Sequence, residues 1–221
     1  MLSMAHAASQ AEIEGFASLV LRLRGEGITD KALLTAIEQT PRSAFAPIGL
    51  TREAWSPRLL PIECGTFLEG ADMMARLLCL LDLQKGHRVL EIGTGSGFAT
   101  AVMARMADRV VTIERYLTLI TLAQQRLAHF GLRNVAFKHA DGRQGAPGEG
   151  TFDRIFVAGA FETMPRQFVE HLAADGVMLA GMIKEGRTVL ARFSKIGNRF
   201  DRTDTFELPY LPLVPGVAAI L

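Results

Sequence analysis

Apolar positions recur along this chain with two periods, and their alternation predicts the elements. Val89, Leu90 and Ile92 form a short apolar run that fits a buried parallel strand. The glycines Gly93, Gly95 and Gly97 follow at once, and Ala99 to Met106 then reads as a helix. The run RVVTIE, Arg109 to Glu114, predicts the next strand, and Leu117 to Phe130 an amphipathic helix stopped by Gly131. Val135 to His139 predicts a third strand, and DRIFVA, Asp153 to Ala158, a fourth. Pro165 to Leu172 reads as a helix, and Gly176 to Ala180 as a fifth strand after the turn Asp175-Gly176. Val189 to Phe193 and Thr205 to Leu211 read as further strands. The turn signal Gly197-Asn198 in their connection, SKIGNRF, predicts a hairpin. Strands alternating with helices and closing on a hairpin imply an α/β fold: a doubly wound, mostly parallel sheet with an antiparallel edge.

Helices are expected ahead of the sheet. Residues 1–8 read as a frayed end. Ser9-Gln10-Ala11-Glu12 has the form of a capping box, and Ile13, Phe16, Val20 and Leu23 follow at helical spacing up to Gly25 or Gly27. Thr29 or Asp30 caps a second helix with Leu33, Leu34 and Ile37 inward, and Pro41 ends it. Phe45 to Pro61 is loop-like, with Trp55 expected to pack. Asp72 to Leu81 reads as a helix leading into the sheet, with Gly86 at the turn before it. The expected division is a helical and loop segment, 1–81, packed on a core of residues 82–221.

Composition narrows the class. A chain of 221 residues with 49% hydrophobic residues can bury a sizeable core. A formal net charge of +1 gives no case for nucleic acid as a partner or for a polybasic membrane surface. The two cysteines, Cys64 and Cys79, cannot build a zinc cluster alone, and His129 and His139 lack partners at metal-ligand spacing. No metal is expected. The start lacks a signal peptide's basic and apolar regions, and no apolar run is long enough to span a bilayer. Reduced thiols in a cytoplasmic protein are the expectation, with the oligomeric state left open. Arg22, Arg24, Arg115 and Arg126 are dispersed and read as solvated helix faces.

Chemistry concentrates at the glycine turn. A strand running through glycines into a helix N-terminus makes a crevice where backbone approaches a ligand closely. The spacing is G-x-G-x-G rather than the G-x-G-x-x-G of dinucleotide sites. Glu114 ends the next strand, where an acid can accept hydrogen bonds from both hydroxyls of a ribose. With Glu91 before the turn and Asp141 before Gly142, three acids stand at strand ends. They would repel a pyrophosphate and suit an adenosine-bearing ligand without phosphates, such as the sulfonium S-adenosyl-L-methionine. The bland alternative is a doubly wound domain with ordinary turn glycines and surface acids.

Several runs resemble one family, the protein-L-isoaspartate O-methyltransferases, within the Rossmann-like class I S-adenosylmethionine-dependent methyltransferases. GITDKALLTAIEQTPRSAFAP is similar to the family's early helix and P-R-x-x-F-x-P turn, and LPIECG to its L-P-I-G-Y-G run. VLEIGTGSGFATAVMA resembles its cofactor loop, and VVTIER its ribose-binding strand end. ADGRQG resembles its G-D-G-x-x-G segment, FDRIFVAGAFETMP its D-R-I-I-V-T-A-A-x-x-x-I-P stretch, and LPYLPLV its closing strand. The resemblance implies a cofactor site of Glu91, Gly93, Thr94, Gly95, Ser96, Gly97, Glu114, Arg115, Asp141 and Gly142, with Asp141 near the adenine amino group. It implies S-adenosyl-L-methionine as cofactor and a protein or peptide carrying isoaspartate as partner.

One segment departs from the pattern. Where the family has Q-T-I-S, a variable residue, proline and an aromatic or histidine, this chain reads GTFLEGADMMA. Glu69 stands for the serine and Asp72 for the histidine or tyrosine, in the segment that grips the substrate. An isoaspartyl carboxylate, with a pKa of about 4, is already ionised and needs no base. An ionised Glu69 about 4 Å away would repel it by roughly 4 kcal/mol at an effective dielectric near 20. Three readings follow. Glu69 points away, pairs with a cation or is protonated, and the acceptor is an isoaspartyl carboxylate. Alternatively Glu69 or Asp72 acts as base toward a hydroxyl or amine. The third is a cofactor-binding protein without transferase activity. Glu69 and Asp72 as plain caps of the following helix would sit with the first reading.

Overall fold

The computed structural model describes residues 9–197 and 199–218. Two helices come first, α1 (Gln10–Gly25) and α2 (Lys31–Glu38). A short antiparallel pair follows, β1 (Leu60–Pro61) and β2 (Phe67–Leu68), and then α3 (Ala71–Leu81). The alternating part runs β3 (Arg88–Ile92), α4 (Phe98–Met106), β4 (Arg109–Glu114), α5 (Leu117–His129), β5 (Val135–His139), β6 (Phe152–Phe161) and α6 (Gln167–His171). It closes with β7 (Leu172–Lys184), β8 (Arg187–Ile196) and β9 (Arg199–Glu207). These seven strands form one sheet in the order β5-β4-β3-β6-β7-β8-β9. β5 to β7 are parallel; β8 and β9 are antiparallel. The expected architecture is the one found.

The order reverses at β3, since β4 and β5 build to one side and β6 to the other. That switch point opens a crevice at the strands' carboxyl ends. Next to it β6 is irregular, with its register against β7 shifting between Phe156 and Ala160, which re-aims the backbone beside the crevice. The two faces of the sheet are covered by separate apolar clusters. Val89, Val110 and Phe156 join the cluster that contains α1, α2, α3 and α4 residues such as Leu23, Leu33, Leu77 and Val102. Leu90, Ile92, Val111 and Ile155 pack on the other face with Phe168 and Leu172.

Several boundaries move from the sequence expectation, each for a local reason. The inward face of α1 is Glu12, Leu19 and Leu23, while Ile13 is 53% exposed. The face turns because Glu12 is an acceptor hub: its carboxylate takes the Arg42 and Ser43 amides at 3.0 and 3.1 Å and Trp55 Nε1 at 2.9 Å. Only half of the capping box therefore forms, the Glu12 amide to Ser9 Oγ. Asp30 caps α2, accepting from the Ala32 and Leu33 amides. Leu172 leaves the sixth helix to open β7, a strand much longer than the run 176–180. The strand expected at 205–211 ends at Glu207, because Pro209 and Pro212 cannot feed a ladder. Residues 208–214 instead cross toward β6, where Ala160 donates to Leu211 O and accepts from Leu213 N, both at 3.0 Å. The hairpin lies between β8 and β9; of its turn signal Gly197 is described, and Asn198 falls outside the described residues, as do residues 1–8 and 219–221. β9 is one of the two edge strands of the sheet, β5 being the other, and reads RFDRTDTFE with charge on both of its faces.

Candidate active site

The crevice is a cleft at the carboxyl ends of β3, β4 and β6. Its floor is the turn from β3 into α4. Gly93, Thr94, Gly95 and Ser96 line it, and Gly97 does not. Two of these glycines have different physical reasons. A Cβ on Gly97, at φ +86°, would lie 2.9 Å from Ala123 Cβ, so this glycine lets α4 start against α5. Gly95, at φ +52°, has its Cβ direction open apart from Ile62 Cδ1 at 4.0 Å, leaving backbone bare toward the cleft.

The three acids of the sequence reading separate. Glu114 ends β4 and lines the cleft at 6% exposure. Its Oε2 accepts from the Gly95 amide at 3.1 Å, and its Oε1 from the Arg115 and Tyr116 amides at 2.7 and 3.1 Å. Backbone donors thus aim the carboxylate into the cleft. Asp141 lines the far wall beside Gly142; it accepts from Arg143 N at 2.9 Å and Gly216 N at 2.8 Å. Arg115 lies between them, its guanidinium 5.1 Å from the Tyr116 ring centroid.

Glu91 does not reach the cleft. It is fully buried, and its Oε2 accepts from Thr100 of α4 at 2.5 Å and from Thr112 of β4 at 2.6 Å. Thr94 continues the chain at 2.6 Å from Thr112, so the glycine turn is tied to Glu91 through two hydroxyls. Glu91 Oε1 has no partner among the described residues. Burial, above all, pushes its carboxyl up to about 8. The folded chain therefore holds a proton that the unfolded chain releases from about pH 4.5 upward. Stability contributed this way is greatest below that value and declines as pH climbs toward 8. Glu91→Gln is expected to remove the decline, which amounts to up to about 1.4 kcal/mol per pH unit. Urea unfolding across the interval checks it; parallel curves for the two proteins would refute it.

The substrate-segment acids separate as well. Asp72 is outside the cleft. Arg22 grips it with two bonds, 2.6 and 3.0 Å, while reaching Trp55 O at 3.0 Å. Glu69 lines the cleft at 9% exposure, opposite the glycine turn. Neither caps α3, whose N-cap is Gly70 with no side-chain bond. Arg42, fully buried over the Phe98 ring at 4.3 Å, donates to the backbone carbonyl of Glu69 and to Ala54 O. The Glu69 carboxyl accepts instead from the Tyr210 hydroxyl at 3.0 Å. Burial raises its proton affinity, against smaller opposing effects of its own amide, Tyr210 and Arg42.

Sequence reasoning missed Tyr210, Phe67 and the run 211–214, all of which line the cleft. Phe67 and Tyr210 stack at 6.3 Å between centroids. The one available signal was an aromatic between two prolines in LPYLP. Two arginines expected in solvent are also held. Arg22 pairs with Asp72, and Arg126 of α5 donates to Ser96 O at 2.9 Å. Among the described residues no cluster of three or more His, Cys, Asp or Glu could hold a metal, and no helix is long and apolar enough to cross a membrane.

Bare backbone and a carboxylate held by backbone amides can receive a nucleoside bearing a cation, with Arg115 and Arg143 on the cleft wall. Comparison with known proteins agrees. The sequence model described as protein-L-isoaspartate(D-aspartate) O-methyltransferase matches residues 15–218. The protein-L-isoaspartate O-methyltransferase of Rhizobium meliloti is 52% identical over 204 residues, 92% of this chain and 100% of the relative. That of Azorhizobium caulinodans is 41% identical over 215 residues, 96% of this chain and 99% of the relative. A Plasmodium falciparum protein assigned as a protein-L-isoaspartate O-methyltransferase, solved with S-adenosyl-L-homocysteine, superposes with a TM-score of 0.77. It covers 89% of this chain and 97% of that one at 22% identity, which speaks to the fold.

Proposed function

Because the chain belongs to the protein-L-isoaspartate(D-aspartate) O-methyltransferase family, we propose that its cleft binds S-adenosyl-L-methionine and methylates the carboxylate of isoaspartyl residues in proteins or peptides. The observation that carries the reading is Glu114. Its carboxylate is presented to the cleft by three backbone amides, beside the open backbone of Gly95. Such an acid suits the paired hydroxyls of a ribose. Asp141 and Gly142 stand where the adenine would lie, with Thr94, Gly95, Ser96 and Arg115 along the rest of the bound molecule. When bound, S-adenosyl-L-methionine supplies a methyl group on a sulfonium; transfer to a carboxylate oxygen forms a C–O bond, breaks the C–S bond and leaves two neutral products.

The chain's own task is then alignment and exclusion of water. Phe67, Met74, Phe156 and Ala158 give the reaction space apolar walls, and Leu211 to Val214 bound its mouth. An isoaspartyl carboxylate arrives ionised, so no residue has to take a proton from it. A base toward a hydroxyl or amine would have to be Glu69, since Asp72 is committed to Arg22 outside the cleft.

The test is direct. With S-adenosyl-L-methionine labelled in the methyl group, an isoaspartyl peptide should acquire base-labile label and its normal aspartyl counterpart none. Equal labelling of both peptides, or of neither, would overturn the reading.

A further inference from the structure

We propose that Glu69, in its neutral form, is the hydrogen-bond donor that positions the acceptor carboxylate, so that an acid does here by donation what an anion in its place would forbid. The inference rests on the reading of function given above and adds a residue to it.

The geometry carries the argument. Glu69 lies at the cleft wall, at the entry to α3, facing the reaction space with Phe67, Met74 and Tyr210. Among the described residues no cation forms an ion pair with its carboxyl, and Arg42 acts on it only through its charge. The buried Arg42 guanidinium is aligned on the backbone carbonyl of Glu69 and on Ala54 O instead. The polar groups that meet the carboxyl are the Tyr210 hydroxyl, on Oε1, and the residue's own amide. Both are donors. Tyr210 is itself buried, at 4% exposure. A neutral Glu69 therefore keeps one O–H without a protein acceptor among the described residues, in a cleft whose adjacent walls are apolar. An incoming carboxylate is the complementary group.

The charged and titratable groups near Glu69 are Arg42, which holds the Glu69 proton affinity down and has Glu12 and Asp72 close to it, then Glu91 on β3 and Tyr210 on the closing run. Glu12 is bonded to two amides and Trp55, and Asp72 to Arg22. Neutral Glu69 leaves the acceptor anion and the sulfonium as the reacting charges. The acceptor oxygen forms its bond to the methyl carbon, the C–S pair stays on sulfur, and the Glu69 proton remains on Glu69. Held at one carboxylate oxygen, the acceptor presents the other to the methyl group.

Glu69→Gln is the decisive change, since an amide donates at every pH. In the original protein kcat/KM for the isoaspartyl peptide should fall tenfold per pH unit once Glu69 ionises. Glu69→Gln should retain more activity than Glu69→Ala and lose that fall. Glu69→Ala should raise KM for the peptide at least tenfold with kcat less affected. Calorimetric binding of S-adenosyl-L-homocysteine, unchanged in both variants, shows that the cleft is intact. Matching alkaline limbs in the original protein and Glu69→Gln would overturn the donor role alone. So would a hundredfold or greater loss of activity in Glu69→Gln, the result expected of a base. If the unaltered protein labels no isoaspartyl peptide at any pH, the reading of function fails, and the donor role with it.

Discussion

Glu114→Ala should raise the dissociation constant for S-adenosyl-L-homocysteine by about 10²–10⁴-fold, as expected from two hydrogen bonds to a charged acceptor at about 1.5–3 kcal/mol each. The effect has two sources. The carboxylate is the strongest acceptor on that wall of the cleft, and its removal leaves two ribose hydroxyls without it. It is also the group that gathers the amides of Gly95, Arg115 and Tyr116. Without it the glycine turn and the end of β4 lose one of the bonds that hold them together, the Gly93 amide to Ile113 O and the Thr94–Thr112 pair remaining. Glu114→Gln separates the two sources, because the amide oxygen can still accept while the amide nitrogen faces donors. Its affinity should fall between the others. Titration calorimetry gives all three constants. A change below tenfold for Glu114→Ala would show that the nucleoside is held elsewhere.

Arg42→Met should destabilise the fold by about 2–6 kcal/mol, because it leaves two buried carbonyls without their donor at about 1–3 kcal/mol each. Methionine nearly fills the stem's volume, so packing loss is small. The loss comes from the head. Arg42 joins two carbonyls from different segments, Ala54 O at 2.6 Å and Glu69 O, and lies over Phe98 at the start of α4. Desolvation pulls its pKa down to about 10, and it stays charged at neutral pH. The same guanidinium ties the N-terminal loops to the wall of the cleft. Urea unfolding followed by far-ultraviolet circular dichroism gives the difference; a loss under 1 kcal/mol would mean that the carbonyls find other donors.

Legibility from sequence tracked the range of the interactions. The strand, glycine turn and helix at residues 89–106 could be read because period, turn residue and helix signal are all local. Glu114 could be read because it ends its strand. Glu91 stands one residue before the last of β3, and the two-residue period of a strand settles its direction. Val89 and Glu91 face α4, whereas Leu90 and Ile92 face the other cluster, so Glu91 meets Thr100 and not the cleft. The parity was present in the sequence and was outweighed by the pattern of acids at strand ends. Glu12 was misread for the opposite reason. Its partners Arg42, Ser43 and Trp55 are thirty or more residues away, and a capping signature says nothing of them. Tyr210 meets Glu69 across 141 positions, so the pair that defines the acceptor side had no local trace.

The charged strand β9 carries a consequence for how clients are met. An enzyme that seizes polypeptides could do so by letting them extend its sheet, and an open edge invites it. Here Arg199, Asp201, Arg202, Asp204 and Glu207 line that edge. Any annealing segment would have to match their alternating signs while stripping water from them. Backbone capture along this edge is thereby discouraged, and so is stacking of copies through it. Traffic with damaged chains is left to the opening between the two halves of the sheet.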